Sequence, residues 1–126
     1  MKQVHETNAA PAPVGPYSQA VEVDGTLFCS GQISINPKTN MVFTGDIKLQ
    51  TQQVMENIGA VLTQAGMDFS NIVKTTIFLT NMADFAAVNE VYAKYFVAEF
   101  PARSTIAVAG LPKGVGVEIE VLAKRE

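Results

Sequence analysis

Cysteine and histidine are nearly missing from this chain. Each occurs once among 126 residues, as Cys29 and His5. One cysteine excludes an intrachain disulfide and any CxxC metal or redox site. One histidine excludes a His/Cys zinc cluster within the chain, and any triad with a central histidine other than His5. No metal site is expected. Cationic charge is scarce too, with nine Lys and Arg against twelve Asp and Glu, a net charge of −3. That balance gives no electrostatic reason to expect nucleic acid or an anionic membrane as a partner. No apolar run approaches the ~20 residues that span a bilayer. The start, Met1-Lys2-Gln3-Val4-His5-Glu6, lacks the apolar core of a signal peptide. A cytoplasmic setting is expected. No repeat, charge run or low-complexity linker divides the chain.

What is present is a globular composition. Hydrophobic residues make up 48% and charged residues 17%, enough for a substantial core in one domain spanning residues 1–126. Asn8 to Pro16 carries Pro11, Pro13 and Pro16 and reads as an irregular lead-in. Asp24-Gly25 sits between Tyr17–Val23 and Thr26–Ile33. It supplies two residues tolerant of positive φ, as a type I′ hairpin turn requires. Met41-Val42-Phe43 is a candidate short strand. From about Asp46 to Ala65, Val54, Met55, Ile58, Val61, Leu62 and Ala65 form one stripe at helical period. Gln50 and Asn57 fall largely off it, and Gly66 is placed to end the helix. Ile72–Leu79 is β-branched and reads as a buried strand. Asn81 is the expected N-cap of a second helix with Phe85, Val88, Tyr92, Tyr95 and Phe96 on its apolar face. Thr105–Ala109 and Val117–Lys124 follow as strands, the last alternating strictly.

These elements predict an α+β two-layer sandwich, a mixed six-stranded sheet with two helices on one face. Two helices cannot cover both faces, yet Leu27–Ile33 and Ile72–Leu79 are apolar on both. An open apolar sheet face predicts a homo-oligomer.

One polar constellation stands out. Phe100-Pro101-Ala102-Arg103-Ser104-Thr105 places a guanidinium at the expected mouth of a strand. Its planar fork suits a carboxylate. Glu118, fifteen positions later, enters the final strand and points the same way as Glu120. If the two strands are neighbours, cation and carboxylate face one cavity.

The residues quoted so far resemble the RidA/YjgF family of reactive 2-imino acid deaminases. The resemblance runs nearly the whole chain through Gly15-Pro16-Tyr17-Ser18-Gln19, Ser30-Gly31-Gln32-Ile33, Asn36-Pro37-Lys38-Thr39 and Ile72-Val73-Lys74-Thr75-Thr76. It continues in Val88-Asn89-Glu90-Val91-Tyr92, Phe100 to Ser104, Leu111-Pro112-Lys113-Gly114 and Val117 to Val121. It implies a chorismate-mutase-like trimer with clefts between subunits. It also implies hydrolysis of 2-iminobutanoate and 2-iminopropanoate to 2-oxo acids and ammonia without a cofactor, protecting pyridoxal-phosphate enzymes from those imines. On that resemblance Arg103 grips the substrate carboxylate and Glu118 positions the attacking water. Tyr17 walls the pocket, Ser30 hydrogen-bonds imine or water, and Gly31 permits close backbone approach. Thr105 offers its backbone N–H, and Asn89 either touches the ligand or caps a neighbouring loop. Ser30 is equally readable as a serine bonded to its own backbone, and Glu120 as structural. Thr105 stands where many members carry cysteine, so thiol chemistry is impossible there, and Gly110 stands where some relatives have arginine. Cys29 reads as a small buried hydrophobe, and His5 as having no catalytic role. The alternatives are a non-enzymatic sensor or chaperone for small carboxylates and, disfavoured by the acidic charge, an endoribonuclease or translation inhibitor.

Overall fold

The computed structural model describes all 126 residues. The strands are β1 (Gln3–His5), β2 (Ala20–Val23), β3 (Thr26–Gln32), β4 (Ile72–Leu79), β5 (Ala102–Ala107) and β6 (Val117–Lys124). The helices are α1 (Ile47–Gln64) and α2 (Phe85–Ala93). The sheet runs β1-β2-β3-β6-β4-β5, with β4 and β5 parallel and every other neighbouring pair antiparallel.

Local chemistry explains most boundaries. Asp24 and Gly25 turn β2 into β3 at φ 49° and 78°, the positive pair the turn demands. The Asp46 carboxylate caps α1 by accepting from the Lys48 and Leu49 amides. Gly66, at φ 74°, ends the helix in the left-handed region. The α1 stripe packs Val54, Met55, Ile58, Val61 and Leu62 against Leu27, Ile77, Ile119 and Val121 of the sheet. On β6, Val117, Ile119, Val121 and Ala123 are buried under the helices, while Glu118, Glu120, Leu122 and Lys124 turn to the other face.

The structure corrects four expectations. The third strand in chain order is not Met41–Phe43, where only an isolated Ile35–Val42 bridge forms. The sixth strand of the sheet is instead Gln3–His5. Asn81 caps a 3₁₀ turn, Met82–Asp84, that leads into α2, and Tyr95 and Phe96 lie beyond the end of that helix. Arg103 lies within β5 rather than at its mouth, because pairing with β4 begins at Ala102. Gln50 and Asn57, which fall off the apolar stripe, are nonetheless buried. Their amides satisfy loop backbone: Asn57 donates to the Ile33 and Ile35 carbonyls, while Gln50 accepts from the Gly116 amide and donates to the Gly45 carbonyl.

β1 is fastened by charge. Glu22 accepts two hydrogen bonds from Arg125, at 2.8 and 2.9 Å, and lies 2.9 Å from His5 Nε2. Arg125 also donates to the Ala65 carbonyl at the end of α1. The Arg125 hydrogen bonds are the main cause that lowers the Glu22 carboxyl to about 2. A carboxylate so depressed contributes stability above its unfolded value, and that contribution is lost as pH falls through about 2. Arg125→Met is therefore expected to lower the urea midpoint at pH 7, by a margin that shrinks below pH ~4.5. An equal loss at pH 7 and pH 2.5 would show that the pair contributes nothing through charge.

Candidate functional site

Two clefts hold all the candidate residues but Thr105, which lines neither. The first, of about 460 Å³, is walled by the lead-in loop (Pro11, Ala12, Val14, Tyr17), the β3 end and following loop (Ser30, Gly31, Ile33, Ile35), Pro112 and Lys113, with Glu118 among its lining residues. The second, of about 440 Å³, lies beside α2 and contains Arg103, Asn89, Tyr92, Ala93, Phe100 and Pro101.

Glu118 owes its position to an irregularity. Cys29 pairs with Val121 but the next pairing is Gln32 with Ile119, so β3 carries one extra residue across that step. The bulge brings the Gly31 backbone against the Glu118 side chain so closely that a β-carbon at position 31 would stand 2.0 Å from Glu118 Oε2. Only glycine leaves that space free. Burial, aided by the Glu120 charge on the same face, raises the Glu118 carboxyl above the usual range. No cation within 4.0 Å pairs with it. The walls are latched by buried amides: Gln19 donates to the Thr7, Ala10 and Pro11 carbonyls and accepts from the Thr7 amide, while Asn57 holds Ile33 and Ile35. Neither latch was visible as a site residue in the sequence, nor was Lys113; isolated amides and a turn lysine carry no spacing signal.

Ser30 donates to the Ser18 carbonyl at 2.6 Å, a bond to the backbone of the lead-in segment twelve residues away rather than to its own. Tyr17 is half exposed at the cleft, its hydroxyl 3.4 Å from the Val14 amide that donates to it. Cys29 is pushed up to about 12 by burial, so its thiol stays protonated at neutral pH. His5 is buried on Glu22 and lines neither cleft. No group of three His, Cys, Asp or Glu side chains is placed to hold a metal, and no helix is long and apolar enough to cross a membrane.

Arg103 projects from β5 toward α2. Its Nη1 donates to Asn89 Oδ1 at 2.5 Å, and its guanidinium carbon lies 5.3 Å from the Tyr92 ring centre and 5.5 Å from that of Phe85. It forms no salt bridge. Its Nε and Nη2 donate to nothing in the chain, leaving an open edge for a carboxylate. Thr105 Oγ1, two residues on and on the same face, is buried without a hydrogen-bond partner.

The two clefts do not meet. β5 and β6 are not neighbours; β4 lies between them. On β4, Thr75 pairs with Arg103 and faces α2, where its hydroxyl meets the Tyr92 hydroxyl. Phe78, an odd number of residues away, pairs with Glu118. Successive side chains alternate, so Arg103 and Glu118 stand on opposite faces of the sheet. The neighbouring-strand expectation fails because the α2 crossover carries β5 to the outer edge of β4 while β6 inserts between β4 and β3.

Gly31→Ala is expected to leave the fold intact, since Gly31 needs no positive φ, but to expel the Glu118 carboxylate from its present seat. A crystal structure of the variant with Glu118 unmoved would contradict this packing.

Residues 7–125 match the family model described as Endoribonuclease L-PSP. The chain is 46% identical over 123 residues to the mouse 2-iminobutanoate/2-iminopropanoate deaminase, covering 98% of this chain and 91% of that one. It superposes on the Escherichia coli YjgF gene product with a TM-score of 0.94 at 43% identity, covering 98% and 99% of the two chains. Escherichia coli TdcF, solved with bound serine, matches with a TM-score of 0.94 at 40% identity and the same coverage. With a family model matched over nearly its whole length, close to half its residues identical to these proteins and its fold superposing on theirs, the chain belongs to the RidA/YjgF family, that of the Endoribonuclease L-PSP model.

Proposed function

We propose that this protein hydrolyses reactive 2-imino acids, 2-iminobutanoate and 2-iminopropanoate, to 2-oxo acids and ammonia, using no cofactor. We further propose that it does so as a homotrimer whose sites lie between subunits. The observation that carries this reading is a pair of unneutralised groups: a guanidinium with a free edge in one cleft and a burial-raised carboxylate in another. One chain holds them on opposite sheet faces. Side-by-side packing of subunits brings one chain's Arg103 cleft to the next chain's Glu118 cleft. The exposed Phe28 and Ile106 beside Phe78 and Leu122 on the face away from the helices, and the edge strand β5, are the surfaces such packing covers.

The chemistry suits so sparse a site. A protonated imine is already electrophilic at C2. Arg103 takes the substrate carboxylate side-on, with the Thr105 backbone N–H beside it. Glu118 accepts a proton as water oxygen bonds to C2. The same carboxyl returns that proton to nitrogen, then accepts the proton of the new hydroxyl as the C–N bond breaks, ammonia leaves and the carbonyl forms. A raised carboxyl makes Glu118 a better base near neutrality than an exposed glutamate. Tyr17 walls the site, Gly31 lets the substrate approach and Ser30 offers its oxygen. Asn89 contributes through Arg103. Holding water and imine in line supplies up to roughly 7–11 kcal/mol of the barrier. The names of the mouse deaminase and of serine-bound TdcF agree with a small substrate bearing a carboxylate.

The family description favours a second reading, an endoribonuclease. Against it stand the net charge of −3 and the burial of the one histidine on Glu22. A small-carboxylate sensor or chaperone uses Arg103 alike but has no need of Glu118.

A coupled assay separates these. A threonine dehydratase supplies 2-iminobutanoate, semicarbazide traps it, and acceleration of 2-oxobutanoate formation is measured. The wild type accelerates. Glu118→Gln loses roughly 10²–10⁴ in kcat while still binding 2-oxobutanoate. Arg103→Ala loses binding, and Arg103→Lys fails to restore it for want of the fork. No acceleration by the wild type, or full acceleration by Glu118→Gln, would leave a sensor.

A further inference from the structure

We infer that Phe85, Asn89 and Tyr92 of α2 are positioning residues that set the direction of the Arg103 guanidinium. The inference rests on Arg103 serving as the carboxylate anchor, and it adds a device that keeps that anchor aimed. The three residues follow i, i+4, i+7, so they share one face of the helix. All three touch the same cation. The Asn89 amide oxygen accepts from Nη1, and the Tyr92 and Phe85 rings lie 5.3 and 5.5 Å from Cζ.

The choice of partners matters chemically. An aspartate at position 89 would hold the guanidinium as firmly and neutralise it. A neutral amide oxygen and two ring faces hold it while leaving its charge for a ligand. Asn89 occupies a hydrogen of Nη1, and the Nε–Nη2 edge stays unpartnered in the chain. The guanidinium is thus turned so that its bidentate edge is the free one.

The platform is anchored to the sheet. Tyr92 is buried, and its hydroxyl lies 2.8 Å from Thr75 Oγ1, itself buried. Thr75 is also the register partner of Arg103 across β4 and β5. The backbone from which Arg103 springs and the ring beneath its guanidinium are therefore both referenced to one residue. Without such support a long arginine side chain on an exposed edge strand would lose rotamer freedom on binding each ligand.

The test is a thermodynamic cycle read by NMR-detected titration, which reaches millimolar affinities. The ligands are 2-oxobutanoate and 2-oxobutanamide, which lacks the carboxylate charge. Phe85→Ala and Tyr92→Leu are each expected to weaken 2-oxobutanoate binding roughly two- to fivefold. Neither changes the amide's affinity, and neither weakens 2-oxobutanoate further in an Arg103→Ala background. Phe85 is partly exposed, so Phe85→Ala tests the idea if Tyr92→Leu proves unstable. Tyr92→Phe, which keeps the ring and removes the bond to Thr75, is expected to give a smaller loss than Tyr92→Leu. Equal effects on acid and amide, or equal effects with and without Arg103, would reduce the α2 face to ordinary packing and overturn the inference. Unchanged 2-oxobutanoate affinity in Arg103→Ala alone would instead remove the anchor, and the positioning role with it.

Discussion

The placement of Arg103 and Glu118 depends on one constraint, the alternation of side chains across three adjacent strands. β4 fixes it. Its Thr75 pairs with Arg103 on one side, its Phe78 with Glu118 on the other, and the odd separation between them sends the two functional groups to opposite faces. A slip of one residue in either pairing would invert every side chain of that strand. The helices prevent such a slip, because Ile119, Val121 and Ala123 of β6 and Ile77 and Leu79 of β4 are already locked into the core beneath α1.

Keeping the two groups apart has a chemical consequence. Sharing one pocket in a single chain, they would pair with each other. The carboxyl would then be pulled below its ordinary range, as Arg125 does to Glu22 elsewhere in this fold. Here Glu118 meets burial and a like charge and moves the opposite way. Arg103 meets a neutral amide and two rings and keeps its charge available. In the proposed mechanism each is left unspent until a substrate with a carboxylate at one end and an imine at the other lies between them.

Local signals in the sequence led directly to local structure. The Asp24-Gly25 hairpin, α1 between Asp46 and Gly66, and the strands Ile72–Leu79 and Val117–Lys124 all form as read. The Gln3–His5 strand escaped because three residues carry no periodicity. It is held by Glu22, His5 and Arg125, groups from distant parts of the chain. The motifs pointed to Arg103 and Glu118 as candidates but not to their partition into two clefts. That partition follows from sheet order, and no pattern within a strand says that β6 will insert between β3 and β4. Gln19, Gln50 and Asn57 were unreadable for a related reason. A buried amide that satisfies loop carbonyls looks, in sequence, like any solvated glutamine or asparagine.

The central claim is that a working site combines Arg103 of one subunit with Glu118 of another. Subunit mixing tests it directly. Arg103→Ala and Glu118→Gln proteins, each inactive alone, are unfolded together, refolded at equal ratio and assayed for imine hydrolysis. If each site draws on two chains of a trimer, random assembly rebuilds about a quarter of the sites with both native residues, and activity returns to that level. If one chain supplies both groups, every site in the mixture lacks one of them and no activity returns, which would contradict the account.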